Sequence, residues 1–497
     1  MPKVKLLARL RWPPADHALI LGLALVATTA LTIARFSQSF WIDEATSVWF
    51  ARQPVHALLT TLCDPHPAGY YVFLKPWLLI SESEAWLRVP SLMAGLLAIY
   101  FTYRLAAAKF GSRVAGLAAL MLALQPLHGW YASEVRMYAL VEMSGVAAIG
   151  LGWRLFDRPT WRGTLAYVAV VVLAMWIDYS AILPVGLLQL MWIAMRCPYP
   201  RRWLLTQVAA ALPVLAFMLT PTQWMALSNN IYPIFLAVRA TASGIPLTPG
   251  QASLLIQLAL GAAGLGCVII ACLWNRRGLS SKPLMRWSII GLWIAALMIA
   301  TIPQAFTVKR RVLLLLPFFA IAAAYVVNTW PKAMSAALCA ATAMAAGISI
   351  FTLQRDPWRA AVQDVLTTDT PAVVWVDELS APAFDYYRRQ AGAASMAVRW
   401  APLVDQDLPQ TPQLTPPPNG TLWVMVVENP YRQLLQFLPA DFFANYQPIT
   451  ARHETGIGIY QFQRRAQPDP TALPPPDRNP EDAWGLLLLS PLDTCTP

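Results

Sequence analysis

Up to residue 351 the chain alternates long apolar runs with short polar stretches. A helix crosses a bilayer with about 20 apolar residues. Runs near that length lie at 17–35, 90–108, 114–130, 138–153, 163–178, 180–195, 203–220, 251–273, 287–303, 312–329 and 333–351. The pattern predicts a polytopic α-helical membrane protein with about 11 transmembrane helices. The run at 66–80 (HPAGYYVFLKPWLLI) is short and contains Lys75 and Pro76. It predicts an interfacial or re-entrant helix on the outer face. A further short helix is expected at 43–53, where Asp43 and Glu44 suit a first turn.

Charge orients these elements. The inner segments carry Lys3, Lys5, Arg9 and Arg11, then Arg104, Lys109 and Arg113, then Arg154, Arg158 and Arg162, then Arg196, Arg201 and Arg202, with further basic groups at 276–286 and Lys332. Only Asp16 and Asp157 oppose them. This is the positive-inside pattern, with the N-terminus inside and the C-terminus outside. Counting 66–80 as a span would turn the basic loops at 154–162 and 196–202 outward, against that rule. The basic start and the first apolar run read as an uncleaved span.

The hydrophobic pattern divides the chain into a membrane domain at 1–351, with a first outer loop at 36–89, an extracytoplasmic domain at 352–465 and a Pro-rich tail at 466–497. A second outer loop, 221–250, contains Pro221, Pro233, Pro246 and Pro249 and predicts irregular backbone. Strands are predicted at 372–377, 421–428 and 457–465, and helices at 382–390 and 430–437. Together they make a small C-terminal α/β domain.

Composition agrees. The chain is 57% hydrophobic and 13% charged, against about 25% charged in soluble domains. A net charge of +11 would suit nucleic acid, but the basic residues sit in short loops between spans, and no nucleic-acid partner is expected. The 6 cysteines show no metal or redox spacing.

The acidic residues concentrate on the outer side: Asp43, Glu44, Asp64, Glu82, Glu84, Glu134 and Asp178. Ionisable groups at a membrane face are costly unless solvated or paired, so a one-sided cluster marks a candidate site. Asp43 is either a helix cap or a general base that removes a proton from an acceptor hydroxyl. Lys309, Arg310 and Arg311 break the positive-inside pattern, directly before an apolar run. Either anionic headgroups or a bound lipid phosphate accounts for them. In YASEVRMY at 131–138, Arg136 is a phosphate ligand and Glu134 its orienting group, or the two form a local ion pair among anchoring tyrosines, Tyr131 and Tyr138. His66, held between Pro65 and Pro67, offers an imidazolium to phosphate or a ligand to a metal. Asp43, Asp64 and His66 are ligand types for a divalent cation such as Mg²⁺, Mn²⁺ or Zn²⁺, without a metal-spacing motif.

The segments FWIDEA at 40–45, DPHPAGYYVFLKPW at 64–77, LRVPS at 87–91, FGSRVAGLAALMLALQP at 110–126, WYASEVRMYAL at 130–140 and KRRVLLLLPF at 309–318 resemble, in order and spacing, bacterial members of glycosyltransferase family 39. That family is the protein-O-mannosyltransferase-like branch of the GT-C fold, with the aminoarabinose transferases as more distant relatives. The resemblance implies a membrane glycosyltransferase that takes a sugar from a polyprenyl-phosphate donor. The acceptor would be a lipid, glycan or protein on the outer face of the bacterial inner membrane. It implies Asp43 as the catalytic carboxylate, with Glu44 beside it. Arg88, Arg136, Lys309, Arg310, Arg311, His66 and Lys75 would bind donor phosphate. Asp64, Tyr131, Glu134, Tyr138, Asp178 and Tyr179 would line the site. Ala68-Gly69, Ala132, Val135 and Asp178 depart from the family's usual residues. A polyprenyl-linked glycan ligase would need the same outer basic groups. A transporter would favour internal repeats and mid-bilayer charges, and neither is apparent in the sequence, whose charges sit at one face.

Overall fold

The computed structural model describes residues 15–60, 64, 66–195, 198–220, 223–224, 306–367, 374–377, 380–393, 398–401, 421–427, 442–454, 457–467 and 469. The runs predicted at 251–273 and 287–303, the helix at 430–437, almost all of the 221–250 loop and the tail from 470 lie outside the described residues. The chain forms two compact units: Met1–Phe36, Arg88–Leu219 and Ala252–Leu353, and then Ser37–Leu87, Thr220–Gln251 and Gln354–Pro497.

The first unit is helical. Its described helices are α1 (Ala15–Ile33), then, after three short helices of the second unit, α5 (Glu84–Phe110), α6 (Ser112–Ala123), α7 (Pro126–Ala132), α8 (Tyr138–Asp157), α9 (Trp161–Ile177), α10 (Ile182–Ala194), α11 (Pro200–Met218), α12 (Phe306–Val327) and α13 (Lys332–Thr352). Those three are α2 (Ile42–Arg52), α3 (Val55–Thr60) and α4 (Gly69–Leu78). α5, α8 and α13 are long and apolar enough to cross a membrane, and shorter apolar helices accompany them. α6 packs on α1 and α12, while α8 packs on α9, α10 and α12. One predicted span is split. The run at 114–130 breaks into α6 and α7, because Pro126 cannot donate to the helix and Gln125 caps the new start by accepting from Leu127 N at 3.2 Å.

Small residues let these helices approach. A Cβ on Gly145 of α8 would lie 2.8 Å from the Pro184 ring on α10. Membrane helices commonly gain close packing this way, since lipid supplies no hydrophobic drive between them. Polar clamps add to it: Trp203 Nε1 donates to Gln189 Oε1 at 2.8 Å, and Gln189 Nε2 donates to Gln207 Oε1 at 3.0 Å. Tyr167 of α9 also donates to Gln207 Oε1, at 3.3 Å, so this polar contact links α9, α10 and α11.

The second unit combines α2, α3 and α4 with helices α14 (Trp358–Thr367), α15 (Ala381–Gln390) and α16 (Phe442–Asn445), and with strands β1 (Val374–Asp377), β2 (Val398–Ala401), β3 (Thr421–Val427), β4 (Tyr446–Glu454) and β5 (Ile457–Arg464). At ten residues α4 is too short to span a bilayer. The sheet order is β2-β1-β3-β5-β4. β1 pairs in parallel with β2 and β3, and β3-β5-β4 run antiparallel. The sequence pattern finds β1, β3 and β5, and it misses β2 and β4, the two edges. β4 also carries a register shift at Pro448/Thr450, where an edge strand tolerates proline. α14, also missed, buries Trp358, Ala361, Val362 and Val365, a helical stripe directly after Pro357.

Within this unit α15 packs on α2. Arg52 of α2 meets Glu82 at 2.7 Å and Asp385 of α15 at 3.5 Å, and Asp385 also binds Arg388 and Arg389 at 2.6 and 2.7 Å. The Phe40 amide donates to the Tyr387 hydroxyl at 2.6 Å, and that hydroxyl in turn donates to Glu84. Burial and the adjacent Glu84 push the Tyr387 hydroxyl well above the usual phenol range, so it stays a donor.

The Gly145–Pro184 contact yields a stability test. Gly145→Val is expected to lower unfolding stability in detergent by about 1–3 kcal/mol, because the rigid Pro184 ring cannot retreat. A thermal midpoint equal to wild type would show that α8 and α10 do not need this approach.

Candidate functional site

α2 starts after Trp41, whose backbone is extended. The Trp41 amide donates to Glu44 Oε2 at 3.4 Å, the return half of a capping box. Successive helical residues lie about 100° apart, so Asp43 and Glu44 leave the turn in different directions. Glu44 is completely buried, whereas Asp43 keeps part of its surface accessible. The two acids therefore have different surroundings.

Glu44 faces Arg355, from the segment between α13 and α14. Arg355 Nε lies 3.1 Å from Glu44 Oε2, with both side chains fully buried. The contact is an ion pair rather than an aligned hydrogen bond from that Nε. Arg355 Nη1 also donates to Gln38 Oε1 at 3.1 Å, Gln38 donates to Gln354 Oε1 at 3.0 Å, and Ser39 Oγ donates to the Asp356 carbonyl at 2.7 Å. Residues 354–356 thus run along 38–44. Asp356 comes within electrostatic reach of Asp43. Sequence reasoning missed Arg355 and Asp356. In the sequence they stand in a stretch of ordinary charge density after the last span, and their only signal was two opposite charges at that boundary.

The other outer residues of this unit flank α4. Asp64 is buried, and its Oδ1 accepts from His66 N at 2.7 Å, an Asx turn ahead of the helix. Lys75 Nζ donates to Ala51 O at 2.9 Å and Gln53 O at 2.5 Å. It thereby caps the C-terminal end of α2, where a cation is favoured. Among the described residues, no three His, Cys, Asp or Glu stand close enough to hold a metal ion.

In the first unit the turn between α7 and α8 is held from α5. Ser91 Oγ donates to Glu134 O at 2.5 Å, with Arg136 O at 3.4 Å. Tyr131 and Tyr138 meet edge to face at 5.2 Å between ring centroids. The Arg136 guanidinium lies 5.7 Å from the Tyr138 ring centroid, and that of Arg310, on α12, lies 5.0 Å from the same ring. Arg136 is 4% exposed. Glu134 and Arg310 both act electrostatically on the Tyr131 hydroxyl. Five expected residues therefore come together: Tyr131, Glu134, Arg136, Tyr138 and Arg310. Arg136 is buried and Arg310 half-buried; two guanidiniums repel each other, and an anion between them would relieve that repulsion. The side chains of Lys309 and Arg311 lie outside the described residues.

Two expected residues have local tasks in the same unit. Arg88 Nη1 donates to Phe36 O at 2.9 Å, beyond the end of α1. Asp178 caps the 3₁₀ turn Tyr179–Ala181 by accepting from Ser180 N at 2.6 Å. In the same unit, His128 Nδ1 of α7 lies 3.0 Å from Glu142 Oε2 of α8, with both side chains buried. His128 was not singled out from the sequence, where it appears as one polar residue in an apolar run. The pair satisfies two groups that hydrocarbon would otherwise penalise.

Burial, and next the Asp43 carboxylate, push the Asp356 carboxyl up to about 7, against a lowering bond from Trp358. An unfolded Asp titrates near about 4. The folded chain therefore keeps a proton that the unfolded chain releases, and this group's contribution to stability falls as pH rises from about 4 through about 7. Asp356→Asn should flatten that fall, and its thermal midpoint in detergent should overtake the wild type above about pH 7. An unchanged pH slope in the variant would count against the raised value.

No family model and no curated protein matches the chain. Solved structures do. The chain is similar to apo ArnT from Cupriavidus metallidurans at a TM-score of 0.50 and 13% identity, over 89% of this chain and 97% of that one. It also matches the oligosaccharyltransferase AglB from Archaeoglobus fulgidus (TM-score 0.46, 12% identity, 77% of this chain and 64% of that one). A third match is the arabinosyltransferase EmbB from Mycobacterium smegmatis (TM-score 0.38, 15% identity, 78% and 44%). With its apolar helices and a likeness to ArnT that runs over nearly the whole of both chains, this multi-pass membrane protein has the GT-C fold.

Proposed function

We propose that the chain is a membrane glycosyltransferase that moves a sugar from a polyprenyl-phosphate donor to a hydroxyl acceptor on a lipid, glycan or protein. The convergence of Arg136 and Arg310 on the Tyr138 ring carries this reading. A departing lipid phosphate carries concentrated negative charge, and prearranged guanidiniums stabilise that charge as it develops. No nucleotide is required, and the sequence has no phosphate-cradling Gly-rich loop.

The reaction is a single inverting displacement. The acceptor oxygen attacks the anomeric carbon as the bond from that carbon to the phosphate oxygen breaks. The electron pair leaves with the polyprenyl phosphate, and the acceptor proton passes to Asp43. Asp43 suits the role because it keeps accessible surface while its neighbour Glu44 is committed to Arg355. The site faces outward from the bacterial inner membrane, in keeping with the positive-inside pattern.

Membranes supplied with radiolabelled polyprenyl-phosphate sugars test this reading. Wild type should move label into a lipid, glycan or protein fraction. Asp43→Asn should cut transfer by about 10²–10⁴-fold at matched folded protein. Arg310→Gln should cost about 10²–10³-fold. Transfer at the wild-type rate in Asp43→Asn would remove Asp43 as the base and leave the enzyme class standing. An absence of transfer from every donor would overturn the class.

A further inference from the structure

We propose that Arg355 is a positioning residue that locks the first turn of α2 through Glu44 and so holds Asp43 in place, making the segment after the last span part of the working centre. The inference rests on the reading of Asp43 as the base.

The geometry is specific. Glu44 Oε2 receives the Trp41 amide at the start of α2 and lies 3.1 Å from Arg355 Nε, in a fully buried setting. The same guanidinium is tied to Gln38, and the strand of chain carrying it is tied to 38–39 by two more bonds. Arg355 therefore grips the residues before α2 and the third residue within it. Asp43 lies between those two grips, one residue before Glu44. Its backbone carbonyl also accepts from Ser47 Oγ at 2.9 Å within the helix. An arginine suits this task better than a lysine, since one planar fork can engage Glu44 and Gln38 together.

A buried pair of this kind is weak evidence for stability, because an apolar pair of similar volume often serves as well. Its value here lies in fixing a direction. A small displacement of a reacting group can cost about 10²-fold in rate.

The test compares wild type, Arg355→Lys and the double variant Glu44→Gln/Arg355→Met, which leaves no buried charge unpaired. Protein is matched for folded material by gel filtration in detergent. Hydrogen exchange, which needs no assumption about the reaction, should show the amides of residues 43–47 exchanging about tenfold or more faster in the double variant. Unchanged exchange there would overturn the proposal. With labelled polyprenyl-phosphate sugar, kcat should fall by about 10²-fold in the double variant, with donor KM within about twofold of wild type. Arg355→Lys should lie between the two. Wild-type kcat in a folded double variant would show that the pair only stabilises, and would also overturn the proposal. If wild type transfers no sugar, the functional reading fails, and the exchange measurement still decides whether Arg355 fixes the turn.

Discussion

Charge removed from water must be matched, and much of this protein's architecture follows from that cost. Taking an ion out of water costs several kcal/mol even after relaxation, so a buried charge is kept where a partner lies close. Glu44 has Arg355, Asp385 has three arginines, and Glu142 has His128. The Glu44–Arg355 and Asp385–Arg52 pairs join segments more than three hundred residues apart in the chain. Electrostatic matching therefore brings together segments that apolar packing, which is non-directional, would leave free to slide.

Against that background Arg136 and Arg310 are notable for being alike. They share one tyrosine ring, with the Glu134 carboxylate acting on the neighbouring Tyr131. On the reading given above, a lipid phosphate would bind against these two guanidiniums. The two units solve the same problem, one with the chain's own residues and the other, on the reading given above, with a substrate.

The parts of the fold that were legible are those where one requirement dominates the sequence. Helices such as α5, α8 and α13 must be apolar throughout, so hydropathy found them. Interior strands β1, β3 and β5 must be apolar on their buried faces, and the pattern found those too. Edge strands β2 and β4 bond a neighbour on one side only, which relaxes that demand, and β4 even admits Pro448. The break between α6 and α7 was signalled by Pro126, but the apolar run continued across it. In the site, the motif residues were visible as chemistry. Lys75, Asp178 and Arg88 looked like candidates because they are charged and outward, and only coordinates reveal the carbonyls and amides they serve. Arg355 and Asp356 were hidden for the opposite reason. Nothing local distinguishes them, and their meaning comes from a partner more than three hundred residues earlier.

That distance has a consequence for how the molecule is made. Ser39 and Asp356 meet across 317 positions of chain. Domains ordinarily fold from the N-terminus as they emerge, yet here residues 38–44 are synthesised early and their partner Arg355 only after α13. During that interval Glu44 lacks Arg355, and α2 lacks the contacts that Arg355 makes with Glu44 and Gln38. The first turn of α2 is therefore completed late, by closure of a very large loop. A chain that stalls before Arg355 would therefore carry α2 with the Glu44 carboxylate unmatched.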